Sequence, residues 1–95
     1  MINISKVFWV LGGEKRLGIY LMILNNPGIT QVEIKENNRK LVQPAISKML
    51  QYMVDADMII RRKEPRNRNS YTVGSKAVAR GVRNLIDLVS QPEEG

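Results

Sequence analysis

The chain has 95 residues and a mass of 10.8 kDa, enough for one small domain and too little for a second independent core. Hydrophobic residues at 43% and charged residues at 25% are the proportions of a globular protein, which argues against disorder. The 15 Lys and Arg against 9 Asp and Glu leave a net charge of +6 and favour a polyanionic partner; the lack of Cys and His removes disulfides, zinc–thiolate sites, the commonest general base and the commonest metal ligand.

No apolar run reaches the ~18–20 residues of a membrane span. The opening Met1-Ile2-Asn3-Ile4-Ser5-Lys6 lacks the order of charge, apolar stretch and small-residue cleavage site of a signal peptide. The expectation is a cytoplasmic protein with no membrane contact.

Residues 3–11 predict a short helix. Ile4, Val7, Phe8 and Leu11 fall on one helical stripe, Trp9 and Val10 lie off it, and Gly12-Gly13 ends it. A second helix is expected from Glu14 to Leu24, with Leu17, Tyr20, Leu21 and Leu24 inward and Ile19 and Ile23 widening the buried face. Asn25-Asn26-Pro27-Gly28 is a turn. Thr30-Gln31-Val32-Glu33 has capping-box spacing, so a third, short helix starts there and runs to about Asn37. After the turn Asn37-Asn38-Arg39-Lys40, a fourth helix covers about Val42 to Ala56. Pro44 suits its first turn, where a missing N–H costs nothing. Ile46, Leu50 and Met53 form its inner face; Gln43, Ser47, Lys48, Gln51 and Asp55 face outward.

Met58-Ile59-Ile60 then leads into Arg61-Arg62-Lys63-Glu64, a polar breaker stretch over 65–69, and the β-prone Ser70-Tyr71-Thr72-Val73. This pattern predicts a two-stranded hairpin with a basic tip. Ser75 suits an N-cap for a last helix from about Lys76 to Ser90, with Val78, Val82, Leu85, Ile86 and Val89 on one stripe. Residues 1–90 are thus expected to form one domain, and Gln91 to Gly95 a frayed tail.

A capped short helix, a tight turn and a second helix with polar outer positions make helix-turn-helix geometry. The hairpin that follows is basic: Arg61, Arg62, Lys63, Arg66 and Arg68 against Glu64 give residues 61–68 a net +4. Folding needs no such excess at a solvated tip, where like charges repel; neutralising phosphates is its natural use. Arg dominates, and Arg forks onto phosphate and enters narrow minor grooves.

The run Val42-Gln43-Pro44-Ala45-Ile46-Ser47-Lys48-Met49-Leu50, then Ala56-Asp57-Met58-Ile59, resembles the recognition helix and following strand of bacterial and archaeal winged-helix repressors, the ArsR and MarR types. Phe8-Trp9-Val10-Leu11 through Arg16-Leu17 to Leu24 is similar to the ArsR-type opening, and Tyr71-Thr72-Val73-Gly74-Ser75-Lys76 to the strand-to-helix junction of MarR-type chains. The resemblance covers about residues 6–90 and implies an α+β fold, mainly helical: a winged helix-turn-helix with a two-stranded β-hairpin wing and terminal dimerisation helices. Asp57 stands where the pattern has Gly, at a helix C′ position that wants left-handed dihedrals. Metal-sensing ArsR members use Cys and His as ligands, so the resemblance brings no metal site or other cofactor with it.

The expected partner is double-stranded DNA. Gln43, Pro44, Ala45, Ser47, Lys48 and Gln51 are the candidate recognition-helix contacts: Gln pairs with adenine, Lys reaches guanine acceptors, and Ala45 meets a thymine methyl. Thr30, Gln31, Arg39, Lys40, Arg61, Arg62, Lys63, Arg66 and Arg68 are the candidate contacts of the turn and wing. For Thr30 a second reading stands, that it only caps; for Arg39 and Lys40, that they only solvate a turn. Surplus apolar surface on the two terminal helices points to a homodimer through Phe8, Trp9, Val78, Val82, Leu85, Leu88 and Val89, with Ala77 and Gly81 beside Leu88. The scattered carboxylates form no catalytic pair, and no enzymatic role is expected. The expected function is transcriptional regulation, as a repressor; the alternative is a winged-helix protein-interaction module within a larger complex.

Overall fold

The computed structural model describes residues 4–90; the expected tail at 91–95 lies outside them. Five helices and three strands follow in the order α1 (Ile4–Leu11), α2 (Glu14–Asn25), β1 (Ile29–Thr30), α3 (Gln31–Glu36), α4 (Gln43–Asp55), β2 (Ile59–Glu64), a 3-10 turn (Pro65–Asn67), β3 (Arg68–Val73) and α5 (Lys76–Ser90). The architecture is mainly helical, with a small antiparallel sheet of order β1-β3-β2.

Local chemistry sets the element ends. Thr30 caps α3 in a complete capping box: its hydroxyl accepts from the Glu33 N–H at 3.2 Å, and the Glu33 carboxylate accepts from the Thr30 N–H at 3.2 Å. Pro44 sits in the first turn of α4. The Ser75 hydroxyl accepts from the Val78 N–H at 3.2 Å and opens α5.

One core holds these elements together. Ile46, Leu50 and Met53 of α4 are fully buried, as their spacing predicts, and meet Ile34 of α3, Val10 of α1 and Ile19, Tyr20 and Ile23 of α2. Burying a side chain of this size stabilises by about 1.5–3 kcal/mol. The hairpin is present, β2 against β3, with Arg61 opposite Tyr71 and Glu64 opposite Arg68. The sheet also has a third strand: Ile29 and Thr30 pair with Tyr71 and Ser70. Arg61, Arg62 and Lys63 lie along β2, and the tip proper is Pro65–Asn67, where Arg66 adopts a left-handed φ of 67°.

One helix is rotated from its expected face. In α1 the inward residues are Val7 and Val10, whereas Ile4 and Phe8 are 66% and 64% exposed. α2 buries the expected side: Ile19, Tyr20, Ile23 and Leu24 are buried, with Leu17 and Leu21 half-buried at the edge. α1 is apolar on several sides, so periodicity alone does not select the face that packs.

The end of α4 is closed tightly. The Met58 N–H bonds Met53 O and the Asp57 N–H bonds Val54 O, each at 3.0 Å, the paired bonds of a Schellman cap. Asp57 occupies the left-handed position at φ 60°. Its carbonyl accepts from the Ser75 N–H at 2.9 Å, and Met58 O accepts from the Gly74 N–H at 2.9 Å. A Cβ on Gly74 would lie 2.6 Å from Asp57 O, so only glycine permits this approach.

Asp57→Gly is therefore expected to stabilise the fold by about 0.5–1 kcal/mol, relieving the left-handed penalty and removing a carboxylate from a helix C-terminus. Gly74→Ala should destabilise it. Thermal unfolding followed by circular dichroism checks both: a midpoint a few degrees higher for the first and lower for the second.

Candidate nucleic-acid interface

α3, the turn after it and α4 form the helix-turn-helix, and the β2–β3 hairpin lies beside it. On α4 the inward anchors leave Gln43, Pro44, Ser47, Lys48 and Gln51 exposed, with Ala45 half-buried. Gln51 donates to the Asp55 carboxylate at 2.9 Å, which ties its amide one turn along the helix.

Four elements converge at the N-terminal end of α4. Gln31 reaches across from α3: its Nε2 donates to Ser47 Oγ at 2.7 Å and to Gln43 Oε1 at 3.2 Å. Its Oε1 accepts from the Tyr71 hydroxyl at 3.2 Å. That hydroxyl accepts from Arg61 Nε at 3.3 Å, and the guanidinium carbon stands 5.7 Å from the centre of the Tyr71 ring. Arg61 and Tyr71 meet because they are direct cross-strand partners. Tyr71 is 1% exposed in the central strand, and its hydroxyl is the piece that joins wing to helix. The sequence marks Tyr71 as β-prone and as part of the strand-to-helix junction, but its role as a link to α3 depends on a contact forty residues away. A cleft of ≈ 200 Å³ beside the network is lined by Thr30, Gln31, Val32, Gln43, Arg68 and Asn69.

The Thr30 hydroxyl also donates to the Glu33 carboxylate at 2.9 Å, so the capping role is met in full. On the wing, Arg61, Arg62, Lys63, Arg66 and Arg68 are all exposed. Glu64, the hairpin's one acid, is exposed too and accepts from the Ser70 hydroxyl at 2.9 Å, but it stands against five cations. The wing's outward charge is thus positive. Arg39 and Lys40 are exposed in the turn and share a shallow cleft with Lys15 of α2, a cation that sequence reading did not single out. The Lys35 ammonium donates to Arg39 O at 3.2 Å and braces that turn.

The candidate dimer residues lie elsewhere, on α1 and α5. An apolar groove of ≈ 400 Å³ runs between these helices, lined by Ile4, Phe8 and Leu11 on one side and Ala77, Val78, Gly81 and Leu85 on the other. Phe8, Leu85, Leu88 and Val89 are exposed and Val78 is half-buried. Val82 is already in the core, with little surface left for a partner. Trp9 is engaged within its own chain: its ring lies 4.2 Å from that of Tyr52, and the Arg16 guanidinium carbon sits 3.8 Å from its centre.

Among the described residues no group of three or more carboxylates is placed to hold a metal ion, and no helix is long and apolar enough to cross a membrane.

No protein-family model and no curated protein sequence matches the chain. Solved structures do. HlyU from Vibrio cholerae N16961 superposes with a TM-score of 0.75 at 26% identity, covering 92% of this chain and 91% of its own. The transcriptional regulator HlyU from Vibrio vulnificus CMCP6 gives 0.71 at 25% identity, over 88% and 84%. An ArsR family transcriptional regulator gives 0.68 at 15% identity, over 97% and 100%. The protein has the winged helix-turn-helix fold of the ArsR- and MarR-like regulators.

Replacing Arg62, Lys63, Arg66 and Arg68 together with Ala should weaken binding to all duplexes alike. The slope of log K against log salt should fall by up to about 0.9 per lost phosphate contact. Fluorescence anisotropy across a salt series measures this; unchanged affinity and slope would remove the wing from the interface.

Proposed function

We propose that the protein is a sequence-specific double-stranded DNA-binding regulator of transcription, a repressor, acting as a homodimer. The observation that carries this reading is the placement of the cationic wing and the polar face of α4 side by side, joined through Gln31 and Tyr71. The wing and the Lys15–Arg39–Lys40 cluster would neutralise phosphates on either side of the helix. Gln43, Ser47 and Lys48 would read base edges in the major groove. The regulator neighbours at 25–26% identity support the same reading. The net charge of +4 over residues 61–68 argues against a module that binds protein through an apolar wing.

The homodimer is supported by the α1–α5 groove and by exposed Phe8, Leu85, Leu88 and Val89, 64%, 52%, 66% and 78% accessible in one chain. So much apolar surface on a small protein is suited to a self-complementary contact, and repeating it about a two-fold axis buries it on both copies. Two recognition helices would then meet half-sites about 10 base pairs apart.

Selection from a random duplex pool tests the DNA reading: enrichment of an inverted repeat supports it, and recovery of no common sequence opposes it. Gln43→Ala or Ser47→Ala should cost roughly 1–3 kcal/mol of discrimination on the selected site while leaving random duplex nearly unaffected. For the dimer, sedimentation equilibrium at micromolar concentration should give about twice 10.8 kDa for the wild type. Phe8→Asp or Leu88→Asp should shift the mass toward the monomer; a monomeric wild type would remove the basis for a palindromic site.

A further inference from the structure

We propose that the hydrogen-bond chain from the wing into α4 fixes the donor–acceptor polarity of the base-reading surface and makes it a donor surface that selects guanine in the major groove. This rests on the DNA-binding reading above and specifies what that surface reads.

The direction of the chain follows from its first member. The Arg61 guanidinium carries donors only. Its Nε lies 3.3 Å from the Tyr71 hydroxyl, so the phenolic oxygen accepts there. A phenol has one proton, and with Arg61 donating to the oxygen, that proton goes to Gln31 Oε1 at 3.2 Å. The Gln31 amide is thereby oriented, oxygen toward Tyr71 and nitrogen toward α4. Its Nε2 donates to both Ser47 Oγ and Gln43 Oε1. Ser47 is then an acceptor on its inner side, and its own proton is left to point outward. Gln43 has its carbonyl turned back to Gln31 and its Nε2 hydrogens left for another partner. Lys48, beside Ser47 on the exposed face, is a donor in any geometry.

In the major groove guanine offers two adjacent acceptors, N7 and O6; adenine offers one acceptor beside a donor, and cytosine offers a donor. A Gln free to turn pairs with adenine through both amide atoms, which requires its carbonyl to face the base. The Gln43 carbonyl faces Gln31 instead. Three neighbouring donors, from Gln43, Ser47 and Lys48, match the guanine edge. Tyr71 and Gln31 act as positioning residues that never need to touch DNA. Because Tyr71 is packed by its ring at 1% exposure, removing its hydroxyl leaves that packing in place.

The test is selection from a random duplex pool by the wild type, Tyr71→Phe and Gln31→Glu, followed by titrations of the selected duplex. The wild type should enrich guanine at the positions under α4. Replacing such a guanine with 7-deazaguanine, which lacks the N7 acceptor, should weaken binding about tenfold. Tyr71→Phe should stay folded, with a melting midpoint lower by several degrees for the two lost hydrogen bonds, and keep the salt slope, but lose most of the preference for guanine over adenine. Gln31→Glu presents acceptors on both sides, so it should draw the Ser47 proton and the Gln43 nitrogen inward. The preference should then swing toward adenine or cytosine, even as the added charge lowers affinity overall. Enrichment of adenine or cytosine by the wild type, or an unchanged guanine preference in both variants, overturns the polarity and leaves the DNA reading standing. No enrichment of any sequence overturns both.

Discussion

The close approach of Gly74 to Asp57 governs the relation between the elements that face outward. Within three residues of the end of α4 the chain has reversed into β2, and two backbone bonds pin that reversal to the junction between β3 and α5. The last residues of α4, both strands of the hairpin and the first turn of α5 therefore meet at one knot of main chain. Main-chain bonds of this kind leave little freedom for one element to swing relative to another. The orientation of α4 to the wing is set there, about a dozen residues from the surface that uses it.

At the other end of α4 the same two elements are tied a second time, now by side chains. Arg61, Tyr71, Gln31 and Ser47 close a path from β2 through β3 and α3 back to α4. With main chain at one end and a polar relay at the other, helix and wing form a closed frame whose interior is filled by Ile46, Leu50 and Met53. Such a frame keeps cations and amide groups exposed without letting them drift. The core holds the positions, the relay holds the orientations, and the +6 charge stays where solvent or a polyanion can reach it.

Much of this was legible in the residues. The capping box at Thr30 and Glu33, Pro44 at the start of α4 and Ser75 before α5 mark helix beginnings through chemistry that acts over three or four residues. The inner face of α4 was legible because its outer face is so polar. The face of α1 was not, since apolar side chains lie on several sides of it and packing partners decide which are covered. β1 escaped because two residues show no alternation; Ile29 and Thr30 become a strand only by pairing with β3, forty residues on. The contact between Gln31 and Tyr71 escaped for the same reason. Single-sequence pattern reading sees neighbours along the chain, and the relay is assembled from four separate elements of it.

The exposed half of α5 has a consequence for how such a chain lives at low abundance. Ala79 and Val82 are the helix's buried residues, and Leu88 and Val89 beyond them are largely exposed. In a dimer built on this face, part of the hydrophobic core is supplied by another molecule, so folding free energy depends on concentration. Dilution then acts as a mild denaturant, and the last turns of α5 are the first to feel it. In such a dimer a freshly made chain would gain its full rigidity only on meeting a second copy.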